Sequence, residues 1–269
     1  MHLKRVFVAL VVLPLLCLYI SKLSAFFFLC LLVLISVIAQ AEFYSMFKTD
    51  TILSMTGIIS GVLTLGVPFI STGLPGSEYT RMSLQTLVFI FSFMLIALVR
   101  LFRKKEPAAA LKDIASVVAG VFYIPTLLVS QLYLRLEGYQ WILFLYGCVY
   151  AADSAAYYVG KGIGKRKLYS TISPNKTVAG AVASVAGGIV ASLILGPMLP
   201  GTKTTPGILA LGGIIGALTI AGDLVESMFK RDADIKDSGT FIPGHGGILD
   251  KIDGALFAGP VLYLITLFI

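Results

Sequence analysis

The segment GDLVESMFKRDADIKDSGTFIPGHGGILDKID, residues 222–253, contains Asp223, Glu226, Lys230, Arg231, Asp232, Asp234, Lys236, Asp237, Asp250, Lys251 and Asp253. These are 11 of the chain's 35 charged residues, 21 basic and 14 acidic. Charge density alone describes a solvated loop as well as it describes a site. Position separates the two. Asp223 and Glu226 fall inside an apolar run, where a carboxylate is costly unless it is paired, protonated or bound to a cation. Asp250 and Asp253, three apart at the start of the next apolar run, share a helix face. Two acidic helix ends, one leaving an apolar layer and one re-entering it, therefore face each other beside Lys230, Arg231 and Lys236. Carboxylate oxygens with cations alongside suit a hard divalent metal ion and phosphate groups. The run Pro243-Gly-His-Gly-Gly permits tight turns and exposes backbone N–H groups that can cradle an anion; it also suits a plain reversal between helices. His245 within it is the only histidine beyond the N-terminal tail.

Three upstream features add to this. Asp153 lies about 12 Å of helix inward from Lys161, which fits either a hydrogen-bonded contact between helices or the wall of a polar cavity. Ser173-Pro174 reads as an N-cap followed by proline in the first helical turn. The helix so started would offer amide donors and Lys176 to an anion. Lys165, Arg166 and Lys167 read as charges attracted to lipid headgroups.

The elements that must position these residues are set by composition. Of 269 residues 57% are hydrophobic and 13% charged, and the mean hydropathy is +0.92. That excludes a disordered chain, a collagen-like fibre and a disulfide-stapled scaffold, and describes an all-α polytopic membrane protein. Cys17, Cys30 and Cys148 sit in apolar runs and read as small hydrophobes. Nine segments reach the length of about 20 residues that a membrane crossing needs. They run 5–21, 23–41, 51–70, 82–101, 113–134, 140–160, 177–199, 206–226 and 253–269. With a cytoplasmic N-terminus, 17 of the 21 Lys and Arg fall on the cytoplasmic side, which places the C-terminus outside. The net charge of +7 then orients the spans, and no nucleic-acid partner is expected. We divide the chain into an N-terminal hydrophobic region, 1–110, and a C-terminal catalytic region, 111–269. The second is rich in Gly, Ala and Ser over 147–222, which favours close helix packing, and carries cytoplasmic loops at 161–176 and 227–252.

The run Ser227-Met-Phe-Lys-Arg, then Lys236-Asp237-Ser, then Pro243-Gly-His-Gly-Gly-Ile-Leu-Asp-Lys-Ile-Asp253 closely resembles the signature of the phosphatidate cytidylyltransferases, or CDP-diacylglycerol synthases. The likeness extends to Gly222-Asp-Leu-Val-Glu-Ser, to Ser173-Pro-Asn-Lys-Thr177, and to Asp153-Ser-Ala-Ala-Tyr157 with Gly160-Lys and Gly164-Lys. Two positions depart from the pattern: Lys251 stands where arginine is usual, and Gly254 where serine is common. The resemblance implies transfer of the cytidylyl group of CTP to phosphatidate, giving CDP-diacylglycerol and pyrophosphate, with Mg2+ and room for a second cation. In-line attack by a phosphate that is already an anion leaves catalysis mainly to positioning and charge stabilisation. On this basis Asp223 and Asp250 are the leading metal ligands, and Asp253 and Asp237 further ligands or groups behind them. Lys230, Arg231, Lys236 and Lys176 neutralise phosphates, with Ser173 beside the anion. His245 bonds a phosphate or shapes its turn, and Asp153 lines the cavity. The expected setting is the bacterial cytoplasmic membrane, with a homodimer as the assembly. A CTP-dependent lipid-alcohol kinase is the nearest alternative and would need a general base for its hydroxyl. A transporter is more remote, since its charged residues should lie near the midplane in both halves.

Overall fold

The computed structural model describes residues 14–72, 78–104, 106–201, 204–239 and 246–268. After a first helix over 14–22, α1, come α2 (Ala25–Met46), α3 (Thr51–Thr72), α4 (Glu78–Arg103), α5 (Ala110–Tyr123), α6 (Pro125–Glu137) and α7 (Tyr139–Ile163). A two-stranded hairpin follows, β1 (Lys167–Tyr169) and β2 (Ser173–Thr177), and then α8 (Val178–Leu195), α9 (Thr205–Asp232) and α10 (Leu249–Thr266). Among the described residues seven helical stretches are long and apolar enough to cross a membrane, with α5 and α6 counted as one. The chain is an integral, multi-pass, helical membrane protein. Of the two further expected spans, 5–21 lies mostly outside the described residues. The other, α10, has 18 residues and carries Asp250, Lys251 and Asp253, so it falls short of the apolarity of the rest.

The expected span over 113–134 falls within one crossing, 110–137, built of two helices that meet at Ile124-Pro125. Proline has no N–H to give to the Val121 carbonyl. The Thr126 hydroxyl donates to that carbonyl instead, at 2.9 Å, and the chain continues as α6. The break turns α6 toward both halves of the molecule, where it packs on α2 and α3 on one side and on α7 and α10 on the other.

Helices α7, α8 and α9 pack closely because small residues line their contacts. A Cβ at Gly188 would collide with the Gly212 carbonyl, and one at Gly216 with the Ser184 carbonyl. The Ser184 hydroxyl uses that proximity to donate to the Gly216 carbonyl at 2.9 Å. In the N-terminal half, α2 is fixed by a buried polar ladder. Gln40 Nε2 donates to the Gly57 carbonyl at 3.1 Å and to Tyr44 Oη at 3.0 Å, and Tyr44 Oη donates to the Val117 carbonyl at 3.1 Å. An aromatic group then ties this half to α9, with Phe43 and Tyr123 packing against Phe229 at ring separations of 5.7 and 5.1 Å. The C-terminal end of α2 is thereby held beside the C-terminal part of α9.

Candidate active site

The residues singled out by charge and depth gather around one cavity of about 810 Å³ between α7, the hairpin, α8, α9 and α10. Helix α9 supplies Asp223, Glu226 and Lys230, α10 supplies Asp250 and Asp253, and α7 supplies Asp153, Tyr157 and Lys161. The hairpin adds Lys167, Ser173, Asn175 and Lys176. The helical period explains the α9 set: Asp223, Glu226 and Lys230 are three and four residues apart and share one face.

Lys230 is buried and stands between two carboxylates. Its Nζ donates to Glu226 Oε2 at 2.8 Å and to Asp250 Oδ1 at 2.6 Å. Burying an ammonium group is tolerable only when it is paired in this way. The other Asp250 oxygen, Oδ2, accepts from Gly247 N at 2.8 Å, Ser238 Oγ at 3.0 Å and Ser238 N at 3.3 Å. Asp250 thus holds both Lys230 and the loop. Among the described residues, the carboxylates that converge on one point are Asp223, Glu226 and Asp253, each of which offers an oxygen within 4.8 Å of the others. Glu226 is fully buried, and among the described residues its Oε1 has no hydrogen-bond partner. Asp223 is also ion-paired with Lys176, which reaches it from β2.

The hairpin corrects the expected helix start. Ser173 does not cap a helix; it belongs to β2, which pairs antiparallel with β1 through Tyr169–Ser173 and Lys167–Thr177. Proline at position 174 tolerates an edge strand, where its missing N–H costs nothing. The cap is Thr177, whose Oγ1 accepts from Gly180 N at 3.1 Å and starts α8. The expectation still puts Ser173 and Lys176 at the site, because the strand rather than a helix end carries them into the cavity wall.

Seven of the residues named from sequence line the cavity: Asp153, Ser173, Lys176, Asp223, Lys230, Asp250 and Asp253. Lys236 and Asp237 are exposed and outside its lining. Arg231 also lies outside it, and its guanidinium holds the chain in place by donating to the carbonyls of Ile172 at 3.1 Å and Ile235 at 2.8 Å. His245 lies outside the described residues. Glu226 was legible as a carboxylate at membrane depth but was not assigned. Lys167, read from sequence as a headgroup charge, lines the cavity, and so does Lys161, to which the sequence reading gave no site role.

Residues 3–269 match the model of the cytidylyltransferase family. A phosphatidate cytidylyltransferase of Staphylococcus saprophyticus is 34% identical over 240 residues, 87% of each chain. One of Bacillus subtilis is 45% identical over 141 residues, 50% of this chain and 51% of that protein. One of Synechocystis is 44% identical over 123 residues, 45% of this chain and 41% of that one. In the last two comparisons the matched stretch spans about half or less of the relative's length. The match across nearly the whole chain and the relative aligned over 87% of its length lead to one conclusion: the chain belongs to the cytidylyltransferase family, among the phosphatidate cytidylyltransferases.

Proposed function

We propose that the cavity transfers the cytidylyl group of CTP to phosphatidate, releasing pyrophosphate. A phosphate oxygen of phosphatidate attacks the α-phosphorus of CTP, a new P–O bond forms, and the bond to the bridging oxygen of the β-phosphate breaks in line with it. Lys161, Lys167, Lys176 and Lys230 supply positive charge around the phosphates, and Tyr157 presents its ring to the cavity. The carrying observation is the balance of the lining: five carboxylates against four lysines. Such a wall cannot neutralise two polyanions by itself, so the carboxylates call for a bound cation.

The donor set fits magnesium, because hard carboxylate oxygens converge there and one of them, Glu226 Oε1, is buried with no partner among the described residues. Asp223, Glu226 and Asp253 would hold the ion, with Asp250 beside them as the anchor of Lys230 and the loop. When bound, the metal supplies charge stabilisation to phosphate oxygens. Asp153, in the wall of the same cavity, is the carboxylate left for a second cation. The chain's own groups orient the phosphates and hold Lys176 and Lys230 in place.

The active site is read as cytoplasmic and the membrane as the bacterial inner membrane, in a nine-span arrangement with the N-terminus inside. Contacts between loop ends support the alternation of the spans, each joining two ends that this arrangement puts on the same side. Arg135, expected outside, donates to the carbonyl of Leu23, also expected outside, at 2.6 Å. Asp113, expected at the cytoplasmic end, accepts from Arg100 at 2.7 Å and Lys104 at 3.0 Å. The test of the reaction is incubation of the purified protein with labelled CTP, phosphatidate and magnesium. A labelled lipid with one pyrophosphate released is expected. Lipid phosphate with CDP would instead show the kinase.

A further inference from the structure

Helix α10 begins without a side-chain cap of its own. Its N-cap position, Ile248, makes no side-chain cap bond, and the first N–H groups of any helix have no partner within it. The partner comes from the opposite half of the molecule. Glu42, near the end of α2, is buried, and its two oxygens accept from Ile248 N and Leu249 N, each at 3.0 Å. More than 200 residues separate the acceptor from the donors. The Ser238 hydroxyl lies 3.4 Å from Glu42 Oε2 and 3.0 Å from Asp250 Oδ2, which joins the two carboxylates. The loop closes tightly here: a Cβ at Gly239 would lie 2.6 Å from Glu42 Oε1, and one at Gly247 would collide with Ser238 Oγ.

A carboxylate at this place does two things. It satisfies two backbone donors that would otherwise be buried without partners, and it puts a negative charge at the positive end of α10. The position of Asp250 and Asp253 along and around α10 follows from where that helix starts. Glu42 does not line the cavity. Its influence runs through the loop and the first turn of α10. We propose that Glu42 is a positioning residue for the reaction, holding the start of α10 so that Asp253 meets Asp223 and Glu226, and Asp250 meets Lys230. This rests on the reading of those carboxylates as a cation site.

The test is Glu42→Gln in the full-length protein, purified in detergent, with the magnesium concentration for half-maximal rate measured beside thermal unfolding. Glutamine keeps the shape, but its amide nitrogen faces a backbone N–H and the charge is gone. Loss of a group that orients a metal ligand commonly costs about 10- to 100-fold in metal affinity or activity, so half-saturation should move up about 10-fold or more. A merely structural loss lowers the rate at every magnesium concentration and leaves half-saturation unmoved. A folded Glu42→Gln protein with wild-type half-saturation overturns the proposal. If Glu42→Gln does not fold, Glu42→Asp serves: it keeps the charge but draws the carboxylate back by one methylene from the Ile248 and Leu249 N–H groups, so half-saturation should rise in the same direction, and an unshifted value overturns the proposal. Magnesium-independent wild-type activity would instead sink the cation reading and this inference with it, so the two failures are told apart by the wild-type titration alone.

Discussion

Lys230 and Asp250 meet at 2.6 Å across a separation of 20 residues, and their side chains are only 9% and 14% exposed. The pair closes the base of the connection between α9 and α10. The same ammonium group holds Glu226 at 2.8 Å, one turn earlier on α9. One cation therefore fixes the loop and the deepest carboxylate of the cavity together.

Asp250→Asn should destabilise the protein by about 3 kcal/mol, the lower end of the cost of stripping one partner from a buried ion pair, since Lys230 keeps Glu226. Asp232→Asn, exposed at the end of α9, should change stability by no more than about 0.5 kcal/mol. Equilibrium unfolding in mixed micelles measures both. The double variant Lys230→Met, Asp250→Asn should cost less than the sum of its singles, because the residues touch. Additive costs would show that the pair is not coupled.

The correction at the hairpin predicts a different pattern. Thr177→Ala removes the cap of α8 and should cost about 1 kcal/mol, whereas Ser173→Ala should be within about 0.5 kcal/mol of wild type. Equal losses at the two positions would return the helix start to Ser173.

Much of the site was legible because its residues are expensive where they stand. Asp223, Asp153 and Asp253 were marked by carboxylates in apolar surroundings, and the structure brings all three to one cavity. Asp250 was legible as a member of the site, but its partners were not: the hydrogen bonds from Gly247 and Ser238 depend on how the loop folds back. The hairpin was hidden because Ser-Pro fits a helix start and an edge strand equally well, and only pairing with β1 decides between them. Glu42 was missed altogether. It lies in the hydrophobic half, where nothing local distinguishes it from an interfacial charge, and its bonds to Ile248 and Leu249 span more than 200 residues. Lys236 and Asp237 were drawn in by their place in the signature run and stand exposed instead.

The topology predicts opposite labelling of two exposed positions. With the native cysteines replaced, a cysteine at Ser170, between β1 and β2, should react with an impermeant thiol reagent only from the cytoplasmic side. One at Glu137, at the end of α6, should react only from outside. Labelling of both from one side would remove one crossing between them, and reversed labelling would invert the nine-span arrangement.

The metal prediction separates two sets of carboxylates that the sequence alone did not distinguish. Asp223, Glu226 and Asp253 converge within 4.8 Å, whereas both Asp250 oxygens are engaged by Lys230, Ser238 and Gly247. Replacing a direct ligand by its amide keeps the size and removes the charge, so Asp223→Asn and Asp253→Asn should each raise half-saturating magnesium by at least the 10- to 100-fold typical of a group behind the ligands. Their combination should add little, because a site already emptied by one change has little left to lose. Asp250→Asn should lower turnover through the displaced Lys230 and shift the magnesium titration less than Asp253→Asn does. Asp232→Asn should match the wild type throughout. Turnover across a magnesium titration in folded, detergent-purified variants decides the matter. A larger shift at Asp250 than at Asp253 would make Asp250 the ligand and leave Asp253 as its support, while wild-type titrations for both Asp223→Asn and Asp253→Asn would remove the cation from this cluster.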